Sequence, residues 1–247
     1  MEPEIIKAAT LIHNSKNLAA FTGAGISAES GIPTFRGEDG IWKKYNPQVL
    51  ELNFFYSNPE KSWEVIAKLF YDHLQDARPN DAHYALAAIE KEKGNLTIVT
   101  QNIDHFHQLA GSKDVVEFHG TTAELICQKC NITLPASNNM KQIPPRCPSC
   151  NSILKPNFVF FGEGIPHEAF MRSSKAAHSC DVMIVVGTSG EVMPANMIPV
   201  EAKKNGAKII EINPDKKVFA YGENDVYINH KAVYALTSIL EELKKLN

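Results

Sequence analysis

A Rossmann-like, doubly wound parallel α/β sheet with a smaller inserted domain is the fold this 247-residue sequence predicts, and three observations predict it. Short apolar runs alternate with amphipathic helical segments, the pattern of strand–helix–strand crossovers in a parallel sheet. The first clear run ends directly in a glycine-rich turn, as the first strand of a dinucleotide-binding unit does. Two Cys-x-x-Cys pairs fall together in a polar, proline-rich stretch that breaks the alternation, the sign of a small metal-held insert. The composition agrees with a globular chain: 25 Lys+Arg stand against 28 Asp+Glu, a formal charge of -3, with 44% hydrophobic residues. That balance supplies no broad cationic field, so direct nucleic-acid binding is not expected. The length is enough to bury a full core, which excludes a small disulfide-stapled scaffold. The Met1-Glu2-Pro3-Glu4 start is acidic where a secretory leader is basic, and no uncharged apolar stretch approaches the roughly 18 residues of a membrane span. An intracellular, cytoplasmic protein without a membrane segment is expected.

Taken in order, the strand-like runs are Leu18–Thr22, Leu96–Thr100, Phe158–Phe161, Val182–Val186 and Lys208–Ile212. Several stop at once in Gly, Asn or Thr-Gln, as buried parallel strands do when they deliver residues to a site at their carboxyl ends. Asp81–Lys93, Glu168–Ser179 and Pro194–Asn205 are long enough for crossover helices, and Lys231–Leu246, with Leu236, Ile239, Leu240 and Leu243, reads as a final amphipathic helix. Residues 37–76 contain no strand-like run but carry Phe54, Phe55, Tyr56, Trp63, Ile66, Leu69 and Phe70, which suggests a helical insert. The expected division is therefore 1–36, 77–120 and 157–247 for the Rossmann-like domain. Residues 37–76 and a ribbon at 121–156 together make the small domain.

After the first run comes Gly23-Ala24-Gly25-Ile26-Ser27-Ala28, a match to G-x-G-x-x-(G/A). Glycines there let the backbone turn tightly and approach a pyrophosphate, whose charge meets backbone N–H groups and a helix N-terminus. A plain tight turn reads the same residues without a ligand. The acidic residue that ordinarily ends the second strand is missing, so a common Rossmann dehydrogenase fits poorly. Cys127, Cys130, Cys147 and Cys150 form two pairs separated by sixteen residues, within the window of a four-thiolate zinc ribbon. Such a site has no open coordination position, and the intervening residues are too polar to fold unaided, so one structural Zn²⁺ per chain is expected. A redox pair is the alternative. Cys180, alone before an apolar strand, reads as a buried small hydrophobe. Thr100-Gln101-Asn102-Ile103-Asp104 places amide and carboxylate groups at the sheet's carboxyl edge, and His119 could return there as a general base. Singly, each also reads as a helix cap or a structural histidine.

In combination these motifs acquire a family likeness. Gly23 to Gly37, Thr100 to Asp104, His119-Gly120, the cysteine pairs, Phe160 to Glu163, Gly187 to Ser189 and Ile212 to Pro214 resemble, in that order, the sirtuins, NAD-dependent protein-lysine deacylases. The likeness runs from Phe21 to Ala232. It implies that Gly23, Ala24, Gly25, Ser27 and Ala28 line the NAD phosphates, with Phe35 and Arg36 in a loop over the dinucleotide. It further implies that Gln101, Asn102, Ile103 and Asp104 form the nicotinamide-ribose pocket, and that Gly187, Thr188, Ser189, Asn213, Pro214 and Ala232 meet the adenosine half. In the implied reaction the acyl-lysine oxygen attacks the ribose C1′ and expels nicotinamide. His119 then serves as base for the ribose 2′-hydroxyl, Asn102 and Asp104 position the reactants, and water releases lysine and an acyl-ADP-ribose. An acyl-lysine protein or peptide would be clamped by strand addition between Ile103, Val159, Phe161, Gly162 and Glu163 on one side and Val192 on the other.

Two departures carry expectations of their own. Gly190 and Glu191 follow Gly187-Thr188-Ser189, where a larger apolar residue is common at the first place, which predicts a loosened or altered peptide clamp. Alignment on Trp63 puts Ile66 and Leu69 where succinyl- or malonyl-preferring members carry a Tyr-x-x-Arg pair, so acetyl or longer apolar acyl groups are expected. A mono-ADP-ribosyltransferase using the same pocket, and a non-catalytic zinc-ribbon binding module, are the competing readings.

Overall fold

The apolar runs at 18–22, 96–100, 182–186 and 208–212 form neighbouring parallel strands in a computed structural model that describes residues 2–34, 41, 45–214 and 225–246, with only the backbone of Gln75. In chain order the elements are α1 (Pro3–Asn14), β1 (Leu18–Thr22), α2 (Leu52–Ser57), α3 (Pro59–Ile66), α4 (Asp72–Asp76), α5 (Asp81–Lys93), β2 (Leu96–Thr100), α6 (Phe106–Leu109), β3 (Val115–Glu117) and β4 (Gly120–Cys127). They continue with β5 (Ile132–Pro135), α7 (Ala136–Asn139), β6 (Lys155–Phe158), α8 (His167–Ser179), β7 (Val182–Val186), α9 (Met197–Lys204), β8 (Lys208–Ile212), β9 (Val226–Ile228) and α10 (Ala232–Leu246). The main sheet has the order β3-β2-β1-β7-β8-β9 and is parallel throughout.

Burial on both faces explains the unbroken apolar runs. In β1, Leu18 and Ala20 join α1, α5 and α10 on one face, while Ala19 and Phe21 join α8 and α9 on the other; β7 alternates the same way. The crossover helix after β1 lies on one face and that after β7 on the other, so the strand order reverses between these two neighbours. That switch point opens a crevice at the carboxyl edge. Thr22 is level with Thr100 and Val186, and Val186 with Ile212. Gly23, Gln101, Gly187 and Asn213 therefore leave the sheet side by side.

The small domain combines both inserted segments around one core. Its three-stranded antiparallel sheet, β5-β4-β6, packs Leu125, Leu154, Phe158 and Phe160 against Phe55, Trp63, Ile66 and Phe70 of the helical insert. Trp63 Nε1 donates to the Leu154 carbonyl at 2.8 Å, joining the two segments by a buried bond.

Three sequence expectations change here, and two short strands join the sheet unanticipated. The Phe158–Phe161 run is not a parallel strand of the main sheet: Phe158 ends β6 in the antiparallel sheet, and Phe161 makes an isolated parallel bridge to Glu51. Phe158 and Phe160 are buried in the small-domain core while Phe161 is exposed, and composition alone over four residues does not distinguish such a run from a parallel strand. β3 and β9, three residues each, are too short to show a period. The glycine turn leads into two 3₁₀ turns, Ala24–Ile26 and Ala28–Ser30, rather than a helix N-terminus. The helix expected from Pro194 begins at Met197, because the turn closed by Asn196 N–H to the Val192 carbonyl occupies the preceding residues. No helix among the described residues is long and apolar enough to cross a membrane.

Candidate active site

A cavity of about 700 Å³ opens where the carboxyl edge of the main sheet faces the small domain. Its sheet side is built by the loops after β1 and β7, which touch through backbone. A Cβ on Gly25 would stand 2.6 Å from Gly187 Cα, and one on Gly187 (φ +60) would stand 2.5 Å from Ile26 N. The glycines thus serve the close crossing of two loops as well as any ligand. The Gly25 N–H donates to the Gly187 carbonyl at 2.8 Å.

Of the residues singled out in the sequence, Gly23, Ala24, Gly25, Ala28, Gln101, Asn102, Ile103 and His119 line this cavity. So do Gly187, Thr188, Ser189, Val192, Asn213, Pro214 and Ala232, and on the small-domain side Val159, Phe161, Gly162 and Glu163. Ser27 and Asp104 lie behind this wall and line a smaller adjoining cavity with Asn102 and Ile103. Phe35 and Arg36 lie outside the described residues. Glu29, within the Gly23–Gly37 run, also lines the main cavity, as do Phe70, Met193 and Lys231, which no motif signalled. Glu29 accepts the Val233 N–H at the start of α10.

His119 is held by its backbone and its ring. Gly120 takes φ +74 and a Cβ there would come within 2.2 Å of the Asn157 carbonyl, so only glycine lets the chain cross β6 directly after the histidine. The Val159 N–H donates to the His119 carbonyl at 2.8 Å. On the ring, Nδ1–H donates to the Gln101 carbonyl at 3.1 Å, which fixes the tautomer and leaves Nε2 as a free base. Burial holds the His119 pKa below the ordinary imidazole range, opposed by that backbone bond. The ring is accordingly neutral at pH 7.

Behind it, one hydroxyl organises the polar wall. Ser27 Oγ donates to Asp104 Oδ2 at 2.6 Å and accepts from Asn102 Nδ2 at 3.0 Å and from His83 Nε2 at 3.4 Å. One donor and two lone pairs are thereby used in full. The Asn80 N–H donates to His83 Nδ1 at 3.2 Å, so Nε2 carries the proton. Asp104 also accepts the Phe106 N–H at 3.0 Å. Burial raises its pKa, against the lowering by Ser27 and Phe106. In sequence, His83 sits third in a helix capped by Asn80 and reads as a capping box; nothing in that pattern pointed to Ser27.

A second buried histidine backs the same strands. His107 Nε2–H donates to Thr22 Oγ1 at 2.9 Å, and Thr22 in turn donates to Thr100 Oγ1 at 2.9 Å. Burial pushes His107 down to about 3, helped by nearby His83, and pushes His83 down to about 4. Both rings stay neutral in the folded protein while the unfolded chain takes up protons near pH 6.5. Their stabilisation is therefore complete above pH 6.5 and declines as pH falls toward 4 and 3. Urea unfolding followed from pH 7 to 4 should show stability dropping, at a limiting slope of about 1.4 kcal/mol per pH unit for each histidine. His107→Gln should remove about one proton from that dependence; an unchanged slope would contradict the assignment.

Cys127, Cys130, Cys147 and Cys150 bring all four Sγ atoms within 4.8 Å of one another. The Cys127–Cys150 and Cys130–Cys147 sulfur pairs are 3.5 and 4.0 Å apart, close to the edge of about 3.8 Å that a tetrahedron of Zn–S bonds requires. The thiols fit zinc, and the saturated ligand set fits a structural role. Cys180 is buried and its thiol is pushed up to about 11 by that burial, as a core residue's would be.

Ile66 and Leu69 do not meet the main cavity. Ile66 is fully buried in the small-domain core and Leu69 lines the adjoining cavity; Phe70 takes the place on the main wall. Ile66 ends the regular α3 and is buried there with Trp63; for Leu69 the α-helical spacing is broken by a π-helical turn at Ala67–Tyr71. Its extra residue rotates the following side chains away from the face that α-helical spacing from Trp63 predicts.

A family profile described as the Sir2 family matches residues 23–194. The NAD-dependent protein deacylase 2 of Archaeoglobus fulgidus is 44% identical over 252 aligned residues, covering 100% of this chain and 98% of the relative. A crystal structure of a Sir2 homolog–NAD complex aligns with TM-score 0.89 at 37% identity, covering 100% of this chain and 95% of the other. The structure of Sir2Af2 bound to a myristoylated histone peptide aligns with TM-score 0.84 at 39% identity, covering 100% and 98%.

Proposed function

The chain belongs to the Sir2 family, and from that premise we propose how its cavity performs NAD-dependent removal of acyl groups from protein lysines. The products are nicotinamide, deacylated lysine and O-acyl-ADP-ribose. The bound dinucleotide supplies an electrophilic ribose carbon and a neighbouring hydroxyl that takes over the acyl group. Everything else falls to the chain.

The observation that carries the reading is His119: a neutral, tautomer-fixed imidazole with Nε2 uncommitted, at the junction of the sheet edge and the small domain. From there Nε2 takes the proton of the ribose hydroxyl as that oxygen attacks the acyl carbon. Asn102 presents an amide whose Nδ2 is already tied to Ser27, and Asp104 anchors the same hydroxyl. These groups hold the reacting ribose with little reorganisation, which matters because an amide oxygen is a weak nucleophile. The Gly23–Ala28 loop and its Gly187–Ser189 neighbour receive the phosphates and adenosine. Phe35 and Arg36 complete that enclosure by family likeness. The four cysteines hold one Zn²⁺, which braces the small domain.

The acyl-lysine chain adds as an extended strand between Val159–Glu163 and Val192. Within the first segment the Val159, Phe160, Phe161 and Glu163 N–H groups are engaged inside the protein. The Gly162 N–H and the Val159 carbonyl have no partner among the described residues, which leaves them for a peptide main chain. Glu163 contributes through its backbone, since its carboxylate turns inward to Lys155 and the Phe160 N–H.

Acyl preference follows from the wall chemistry. Phe70, Ile103, Phe158, Val159 and Phe160 line the small-domain side, and the one lysine among the described lining residues, Lys231, belongs to the adenosine end. A succinyl carboxylate would be desolvated there without a partner, so its kcat/KM should fall about 100-fold below that of acetyl, whereas a long apolar acyl is accepted. The check is mass spectrometry of acetyl-, succinyl- and myristoyl-lysine peptides incubated with NAD. Loss of the acyl mass supports deacylation, gain of ADP-ribose on the peptide supports transfer instead, and succinyl turnover above acetyl overturns the stated preference.

A further inference from the structure

Among the described residues only one lysine is buried. Lys155, which opens β6, is 4% exposed. Its Nζ donates to the Phe158 carbonyl at 2.8 Å and the Pro156 carbonyl at 3.1 Å, lies 3.0 Å from Glu163 Oε2, and stands 4.5 Å from the centre of the Phe160 ring. The same Glu163 oxygen accepts the Phe160 N–H at 2.9 Å, and the Glu163 N–H returns to the Phe160 carbonyl at 3.0 Å. An ammonium has three protons to donate, and here three oxygens, from residues 156, 158 and 163, receive them.

Such a placement is costly to maintain. Removing an ammonium from water is unfavourable, and an apolar chain of similar length would fill the space without that penalty. What the lysine does and a methionine cannot is fasten three acceptors from both ends of one short loop to a single point. That loop contains Val159 and Gly162, whose carbonyl and N–H are the groups left open for a peptide. Phe161 also anchors the loop outward, since its N–H and carbonyl pair with Leu50 and Leu52.

We infer that Lys155 is the positioning residue of the peptide-binding edge, an internal pin that holds the Val159 carbonyl and the Gly162 N–H at the spacing an extended acyl-lysine strand requires. The inference rests on the strand-addition reading above. It assigns Lys155 no contact with substrate; the lysine acts through Glu163 and the Phe158 carbonyl. Cutting the pin should loosen the acyl-peptide far more than the dinucleotide, whose site lies on the main sheet.

The test is steady-state deacylation of an acetyl-lysine peptide by the full chain and its K155M, K155R and K155M/E163Q variants, with KM measured separately for peptide and NAD and zinc content measured in each. K155M is expected to raise the peptide KM about tenfold, the loss of a charge-assisted tether, with NAD KM and zinc content within twofold. K155R, which keeps the charge and the donors, should recover most of the peptide KM. The double variant leaves no unpaired carboxylate, so its melting temperature should return toward wild type while the peptide KM stays high. A folded double variant with a peptide KM within twofold of wild type overturns the inference, as does an equal rise in the NAD KM. A wild-type chain that fails to deacylate any peptide refutes the function reading itself, a result distinct from either.

Discussion

His119→Ala is expected to lower kcat on a saturating acetyl-peptide by about a thousandfold, inside the range typical of a lost general base, while ADP-ribose still binds. The separation follows from where the groups sit. The glycine loop and the Gly187–Asn213 segment leave the sheet edge independently of His119, whereas the Nε2 lone pair has no substitute within the Ser27–Asp104 network. Asp104 is tied to Ser27 and the Phe106 N–H, and His83 spends its own Nε2 proton on Ser27. The pH profile offers a second readout. Burial keeps His119 neutral below the usual imidazole range, so the acid-side fall of kcat/KM should lie below pH 6.5, the ordinary value. A variant that keeps wild-type turnover, or a wild-type profile that falls above pH 6.5, would remove His119 from the role of base.

Loss of zinc is expected to abolish activity by a different route, through the small domain. Cys127 and Cys147 are buried in the core that also contains Leu125, Leu154, Phe158 and Phe160. Chelation, or Cys147→Ser, therefore withdraws ligands and core together. Structural zinc sites contribute on the order of 10 kcal/mol or more to folding in isolated peptides, far beyond what the polar 131–146 stretch supplies. The disturbance should reach Val159–Gly162 through β6, so peptide binding fails while much of the main-sheet helicity remains by circular dichroism. Elemental analysis should give one zinc per chain, and metal-free protein with unaltered turnover would sink the structural assignment.

Much of this molecule could be read in advance because its main sheet is buried on both faces. That burial writes β1, β2, β7 and β8 as plain apolar runs, and the residues following them as a site. The four thiols were equally readable, since tetrahedral geometry demands paired knuckles. What escaped depends on three-dimensional context. β3 and β9 are too short to show a period, and the 158–161 run carries the composition of a parallel strand but buries Phe158 and Phe160 in another domain. The π turn at 67–71 rotates Phe70 into the cavity and Leu69 out of it, a shift no fixed spacing anticipates. Ser27, His83 and Asp104 meet across three separate segments, so each in isolation resembles a cap or a structural polar residue. Lys155 carries no sequence signal at all, because its importance lies in what surrounds it.

The level ending of β1, β2, β7 and β8 has a consequence for recombining this protein with its relatives. A residue inserted inside one of these strands would turn every later side chain to the opposite face and move its terminal group out of line with the other three. Residues added beyond Thr22, Thr100, Val186 or Ile212 only lengthen a connection. Chimeras whose crossovers fall at those four positions should therefore inherit an intact reaction centre, whereas crossovers that change the length of a strand interior should fold poorly and fail together in both dinucleotide and peptide recognition.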